Sequence, residues 1–140
     1  QAYADVKDNT DSGQFMAIQH AAALALRTPD IPQRIRAKYR RRLEKLVAAL
    51  QQVGFRCQMP GGTYFLYTPA PIAAGERRFA TAEEAAHFLI QEQSICTVPW
   101  DDAGAYLRFS VTYFAPDEAA EDALMAETVR RLSTLRLQFA

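Results

Sequence analysis

Ile35, Tyr39, Leu43, Leu46, Val47, Leu50 and Val53 recur at three- and four-residue spacing through the first half of the chain. Spacing of that kind places the side chains on one side of an α-helix, and so long an apolar stripe has to be covered by other elements. It commits the chain to a helix packed on a core. Gly54, directly after the stripe, suits the left-handed backbone on which helices commonly end. Upstream, Thr28-Pro29-Asp30-Ile31-Pro32 interrupts any continuous helix, because proline removes a backbone donor and biases its predecessor away from helix, while Pro32 is tolerated in a first turn. The stretch before it, Ser12 to Arg27, carries Phe15, Ile18, Ala22 and Leu26 at helical spacing and predicts an earlier helix.

After Gly54 the pattern shortens. Phe55 to Met59 and Thr63 to Thr68 are aromatic-rich runs flanking Pro60-Gly61-Gly62 and predict a hairpin. Thr81 and Glu84 stand at capping-box spacing ahead of Ala85, Phe88 and Leu89, which predicts a short helix. Ser94 to Val98 reads as a buried strand and Tyr106 to Tyr113 as a second. Pro116, Asp117 and Glu118 open a last helix with Leu124, Met125, Val129, Leu132 and Leu135 on its buried side. The expected order is helix, helix, strand, strand, helix, strand, strand, helix. That order fits an α/β fold of the α+β sandwich kind, a small mixed or antiparallel sheet with helices mainly on one face. No repeat or long linker divides residues 1–140, so one domain is expected.

Composition bounds what such a domain does. A chain of 140 residues with 49% hydrophobic and 23% charged residues can bury a core, which excludes disordered and collagen-like classes. Sixteen basic residues against sixteen acidic ones leave no overall field for a polyanion. The longest apolar stretches, such as Ala21 to Leu26, fall far short of the roughly 20 residues a membrane span needs, and Gln1 opens no signal-like segment. A soluble, cytoplasmic protein with neither a nucleic-acid nor a membrane partner is the expectation. Because the chain begins with Gln1 and runs straight into a polar segment, it reads as a piece of a longer protein. Cys57 and Cys96 lie apart without Cys-x-x-Cys spacing and are expected as buried free thiols. His20 and His87 stand alone, so no metal site is expected.

Three groups of residues could carry chemistry. Alternation along Tyr106 to Tyr113 turns Leu107, Phe109, Val111 and Tyr113 to one face and Tyr106, Arg108, Ser110 and Thr112 to the other. The second face is either solvated or lines a site. An arginine fixed there offers a planar fork of donors that matches a carboxylate bidentately. The run Arg34, Arg36, Lys38, Arg40, Arg41, Arg42 and Lys45 interleaves the helical stripe; it is a solvated outer face, or it binds phosphates with Tyr106 or Tyr64 as a stacking surface, which would make a nucleic-acid-binding module. Lys7 to Phe15 is a cluster of short polar side chains in which Asp11 or Ser12 caps the following helix, and a cap of this kind can also edge an anion site.

Four segments together resemble the fold-type I (class I/II) pyridoxal-phosphate aminotransferases, and within them the LL-diaminopimelate aminotransferase-type members. They are DSGQFMAIQHAAALAL (Asp11 to Leu26), PGGTYFLY (Pro60 to Tyr67), VPWDDAG (Val98 to Gly104) and YLRFSVTY (Tyr106 to Tyr113). The resemblance implies the C-terminal small domain of such an enzyme, with residues 1–30 leading in from its large domain. It implies amino-group transfer between an amino acid and a 2-oxo acid, in amino-acid biosynthesis of the lysine and diaminopimelate kind, by a homodimer. Arg108, with Ser110, matches the arginine that clamps the substrate α-carboxylate; Ser12, and more weakly Asn9, matches a segment that approaches the neighbouring subunit's site. The loop before Arg108 is shorter than in many relatives. The family's Schiff-base lysine and its cofactor-binding residues have no counterpart here: of Lys7, Lys38 and Lys45, none stands in the small, hydroxyl-rich context of that lysine. By itself the fragment is expected to be inactive. A domain kept only for dimerisation or interaction would also fit the pattern, and would not need Arg108.

Overall fold

The computed structural model of the chain describes residues 1–10, 13 and 15–140. These divide into two compact units, Gln1–Arg36 and Ala37–Ala140. In the first lie α1 (Ala2–Thr10), α2 (Met16–Leu26) and the start of α3 (Asp30–Gln52). α1 was not legible as a helix because it has no apolar stripe. Its polar side chains instead bond back along it, Asn9 Nδ2 donating to the Asp5 carbonyl at 2.7 Å and Thr10 Oγ1 to the Val6 carbonyl at 2.8 Å. α2 forms where the alanine-rich spacing predicts a helix, with Phe15 at its N-cap and no side-chain cap. The capping role expected of Asp11 or Ser12 lies outside the described residues. Neither α1 nor α2 buries a residue.

The second unit holds the core. Leu43, Leu46 and Leu50 of α3 are buried as the stripe requires, and Gly54 ends the helix at φ +94°. Ile35, at the head of the stripe, is exposed. The remaining elements are β1 (Phe65–Pro69), β2 (Ala73–Ala74), β3 (Arg77–Arg78), α4 (Ala82–Gln93), β4 (Val98–Trp100), β5 (Tyr106–Ser110), α5 (Glu118–Ser133) and β6 (Leu137–Gln138). They give the expected α/β class, with two small antiparallel sheets in place of one: β1-β5-β4 and β3-β2-β6. The inward residues Leu66, Leu107, Phe109 and Val111 join those of α3, Ala85 and Leu89 of α4, and Met125 and Leu132 of α5 in one cluster. Phe55 lies between Phe109 and Phe139, at ring separations of 5.7 and 4.8 Å. Among the described residues no helix is long and apolar enough to cross a membrane.

Two strand expectations fail. Phe55 to Met59 is not a strand, and β1 pairs instead with β5, Leu66 opposite Phe109 and Tyr67 opposite Arg108. The left-handed turn residue is Thr63, at φ +83°, and not the Gly61-Gly62 pair, so the reversal a two-residue hairpin needs does not form. The backbone after α3 is held by the helix, Gln51 Nε2 donating to the Cys57 carbonyl at 2.9 Å. Ser94 to Val98 likewise gives way to β4 at Val98–Trp100, because Ser94 serves as the left-handed C-cap of α4 at φ +54°. The same shift leaves Cys96 exposed, against expectation, while Cys57 is buried and its thiol pKa is pushed up by that burial.

The basic run on α3 is not a uniformly solvated face. Arg42 is 2% exposed and Glu121 of α5 is 2% exposed, joined by Arg42 Nε to Glu121 Oε1 at 2.7 Å. Arg42 Nη1 donates to the Tyr113 carbonyl at 2.7 Å and the Val111 carbonyl at 3.2 Å, and its guanidinium lies 4.4 Å from the Tyr113 ring centroid. Arg41 Nε reaches Glu121 Oε2 at 3.0 Å, and Lys45 Nζ bonds Asp122 Oδ1 at 2.5 Å. The side-chain hydrogen bond from Arg41, followed by that from Arg42, outweighs burial and holds the Glu121 carboxyl at about 2, below its ordinary 4.5.

Removing one member of a buried, hydrogen-bonded ion pair strands its partner's charge, so Glu121→Ala should cost about 3–5 kcal/mol of stability, measured by urea denaturation. Since the folded-state pKa is depressed, the contribution of Glu121 is complete above pH 4.5 and lost as the pH falls toward about 2. In Glu121→Gln, stability should be lower at neutral pH and its decline across that window shallower. An unchanged slope would assign the acid sensitivity to other carboxylates.

Candidate functional site

Alternation along β5 and its register with both neighbours build one open face. Arg108 stands opposite Tyr67 of β1 and Val98 of β4, while Tyr106 stands opposite Pro69 and Trp100. Residues in register share a face, so Phe65, Tyr67, Trp100 and Tyr106 surround Arg108 on the side turned from the core. Leu107 and Phe109, on the opposite side, are buried. Tyr67, Trp100 and Tyr106 are 36–45% exposed, so the face is accessible and aromatic.

The Arg108 guanidinium carbon lies 4.3 Å from the Phe65 ring centroid and 6.0 Å from that of Trp100. Trp100 in turn meets Tyr67 edge to face at 6.1 Å. The guanidinium is thus held by ring faces and not by charge: among the described residues no carboxylate pairs with it. Its Nε is buried and makes no hydrogen bond. A cation on an aromatic face gains roughly 0.5–2 kcal/mol and keeps its in-plane donors available. Ser110 and Thr112 continue the polar row, their hydroxyls 2.8 Å apart. What such a surface can do chemically is receive a planar anion, a carboxylate above all, through two parallel N–H bonds.

Gly104 shapes the approach to this face. It takes φ +112°, and a Cβ placed on it would stand 3.0 Å from Cε2 of Tyr106. The short β4–β5 loop therefore folds flat beneath that ring.

Of the residues the sequence singles out, Arg108 and Ser110 lie on this face. Ser12 lies outside the described residues, and Asn9 is exposed on α1 with its amide bonded to the Asp5 carbonyl. The phosphate-binding alternative for the basic run is weakened, since Arg41, Arg42 and Lys45 are bound to carboxylates of α5. Sequence reasoning missed Phe65, Tyr67 and Trp100 as neighbours of Arg108. The alternation in Phe65 to Pro69 was visible, but only pairing of β1 with β5 brings it beside the arginine.

No family model matches the chain. Among curated proteins, the LL-diaminopimelate aminotransferase of Methanocaldococcus jannaschii is 47% identical over 99% of this chain and 35% of its own length. That of Methanococcus maripaludis is 46% identical over the same shares. Among solved structures, apo-BacF from Bacillus subtilis superposes with a TM-score of 0.78 over 97% of this chain and 35% of that one, at 21% identity. N-succinyldiaminopimelate aminotransferase from Mycobacterium tuberculosis gives 0.62 over 84% of this chain and 30% of that one, at 28% identity. Over nearly all of its length the chain matches part of proteins of the fold-type I pyridoxal-phosphate aminotransferase family. Within that class its relatives are LL-diaminopimelate aminotransferases, and it spans about 35% of the length of those just named.

The family's cofactor needs a lysine for its covalent link and a cradle for its phosphate. The lysines present do not fit it. Lys45 is taken up by Asp122 and Glu121, Lys38 is exposed beside the Tyr39 ring, and Lys7 lies on α1 in the other unit.

Gly104→Ala should force Tyr106 aside and strain the backbone, with a stability loss of about 1 kcal/mol or more in urea denaturation. A variant as stable as the parent would show that the loop adapts freely.

Proposed function

We propose that residues 1–140 form the C-terminal small domain of a pyridoxal-phosphate-dependent aminotransferase, with residues 1–30 leading in from the large domain, and that Arg108 holds the α-carboxylate of its substrates. The whole enzyme moves an amino group between an amino acid and a 2-oxo acid, in amino-acid biosynthesis of the lysine and diaminopimelate kind suggested by the names of its relatives. The single observation behind the role of Arg108 is a guanidinium on an open aromatic face with its buried Nε unpartnered.

When bound, pyridoxal phosphate supplies the electron sink of the chemistry, and the residues that hold it belong to the remainder of the protein. This chain orients the substrate. A two-point bond from Arg108 fixes the carboxylate plane, so the bond at the neighbouring carbon that must react is presented in one direction. The aromatic rings displace water around the ion pair and strengthen it. We place the enzyme in the cytoplasm as a homodimer.

A charge-assisted carboxylate contact contributes roughly 1.5–3 kcal/mol, so Arg108→Ala in the full-length enzyme should lower kcat/KM about 10- to 100-fold. Arg108→Lys should recover little, because an ammonium cannot reproduce the fork. Steady-state kinetics with amino and oxo substrates would decide it: wild-type values in either variant reject the clamp.

A further inference from the structure

The carboxylate of Asp101, at the start of the β4–β5 loop, sits on the first turn of α4. Oδ1 accepts from the Ala82 N–H at 2.7 Å and Oδ2 from the Glu83 N–H at 3.3 Å. α4 already has a cap of its own. The Thr81 hydroxyl accepts from the Glu84 N–H at 3.2 Å, and the Glu84 carboxylate accepts from the Ala80 N–H at 2.8 Å. That box leaves the Ala82 and Glu83 N–H groups without an acceptor, and Asp101, 19 residues from Ala82, supplies it, so one carboxylate both completes the cap and ties the loop to the helix. The loop's other end is held where the Ala105 carbonyl accepts from the Ala70 N–H at 2.8 Å. Trp100, next to Asp101 in the chain, therefore has its backbone fixed on both sides. Its ring stands 6.0 Å from the Arg108 guanidinium and 6.1 Å from Tyr67.

We propose that Asp101 is a positioning residue for the Arg108 clamp: by tying the short loop to the first turn of α4 it holds the Trp100 ring beside the guanidinium, so that the fork meets a carboxylate in one orientation. The proposal rests on Arg108 being that clamp. Asp101 acts through Trp100 and takes no part in the chemistry. Its loss therefore weakens binding of ground state and transition state alike, which raises KM and leaves kcat in place.

Four variants of the full-length holoenzyme test this. Asp101→Ala should raise KM for amino and oxo substrates about 3- to 10-fold, with kcat changed less than about 2-fold. The emission of Trp100, taken as the difference between the protein and its Trp100→Phe variant, should move to the red in Asp101→Ala and become more open to quenching by acrylamide. Trp100→Leu leaves the cap on α4 intact and should reproduce the rise in KM; it decides the matter should Asp101→Ala fail to fold. Wild-type KM in Trp100→Leu, or wild-type KM and emission in Asp101→Ala, overturns the proposal. Arg108→Ala separates the two readings. Wild-type kinetics there reject the clamp itself, whereas a loss there with none in the Asp101 and Trp100 variants rejects the positioning role alone.

Discussion

Arg42 and Glu121 form the joint on which the second unit depends. A carboxylate and a guanidinium each 2% exposed would be prohibitively placed if either were alone. Here Nε donates to Glu121 and Nη1 to the carbonyls of Val111 and Tyr113, while the flat face of the guanidinium lies against the Tyr113 ring. Three elements are fixed relative to one another by one side chain, namely α3, α5 and the backbone leaving β5. That backbone is continuous with the strand carrying Arg108. The depth and register of the polar face therefore depend on an ion pair on the other side of the sheet.

Part of the balanced charge is spent at the same joint. Arg41, Arg42 and Lys45 meet Glu118, Glu121 and Asp122 across the α3–α5 contact, so much of the neutrality is local pairing. In the sequence the basic residues read as what was left after the apolar stripe was assigned. Arg42, three residues after Tyr39 and four before Leu46, stands at the edge of the stripe and is buried, whereas Arg40 points away and is exposed, paired four residues on with Glu44. What spacing along one helix cannot register is the acceptor that makes burial tolerable, Glu121 of α5, 79 residues downstream.

What was legible and what was not divides along the same line. Period and capping are local, so α3, α4, α5 and the two-faced strand at Arg108 could be read directly. Thr81 and Asp117 cap where the chain suggests they should. Strand partners are not local, so Phe55 to Met59 was paired with β1 when β5 takes that place. α1 escaped because a polar helix has no periodic apolar signal. At the site, alternation puts Arg108 on a polar face and leaves open whether that face is solvated; the resemblance supplies the expected role. The arginine's setting of Phe65, Tyr67 and Trp100 required the β1-β5-β4 order, and Asp101 required knowledge that its loop touches α4.

The two arginines on either side of β5 show why one is structural and the other suited to a ligand. Arg42 has its donors spent on fixed oxygens, and removing Glu121 would leave a buried charge. Arg108 is held only by ring faces, an attraction of roughly 0.5–2 kcal/mol, less than the 1.5–3 kcal/mol of a charge-assisted bond. Had an internal carboxylate occupied its fork, a substrate would have to displace it and gain only the difference. Aromatic support avoids that competition: the rings fix the plane of the guanidinium and leave its N–H groups without an internal acceptor among the described residues. Such support constrains orientation only while the rings are themselves constrained. For that reason the β4–β5 loop, tied to α4 at Asp101 and to Ala70 at Ala105, belongs to the proposed clamp as much as the arginine does.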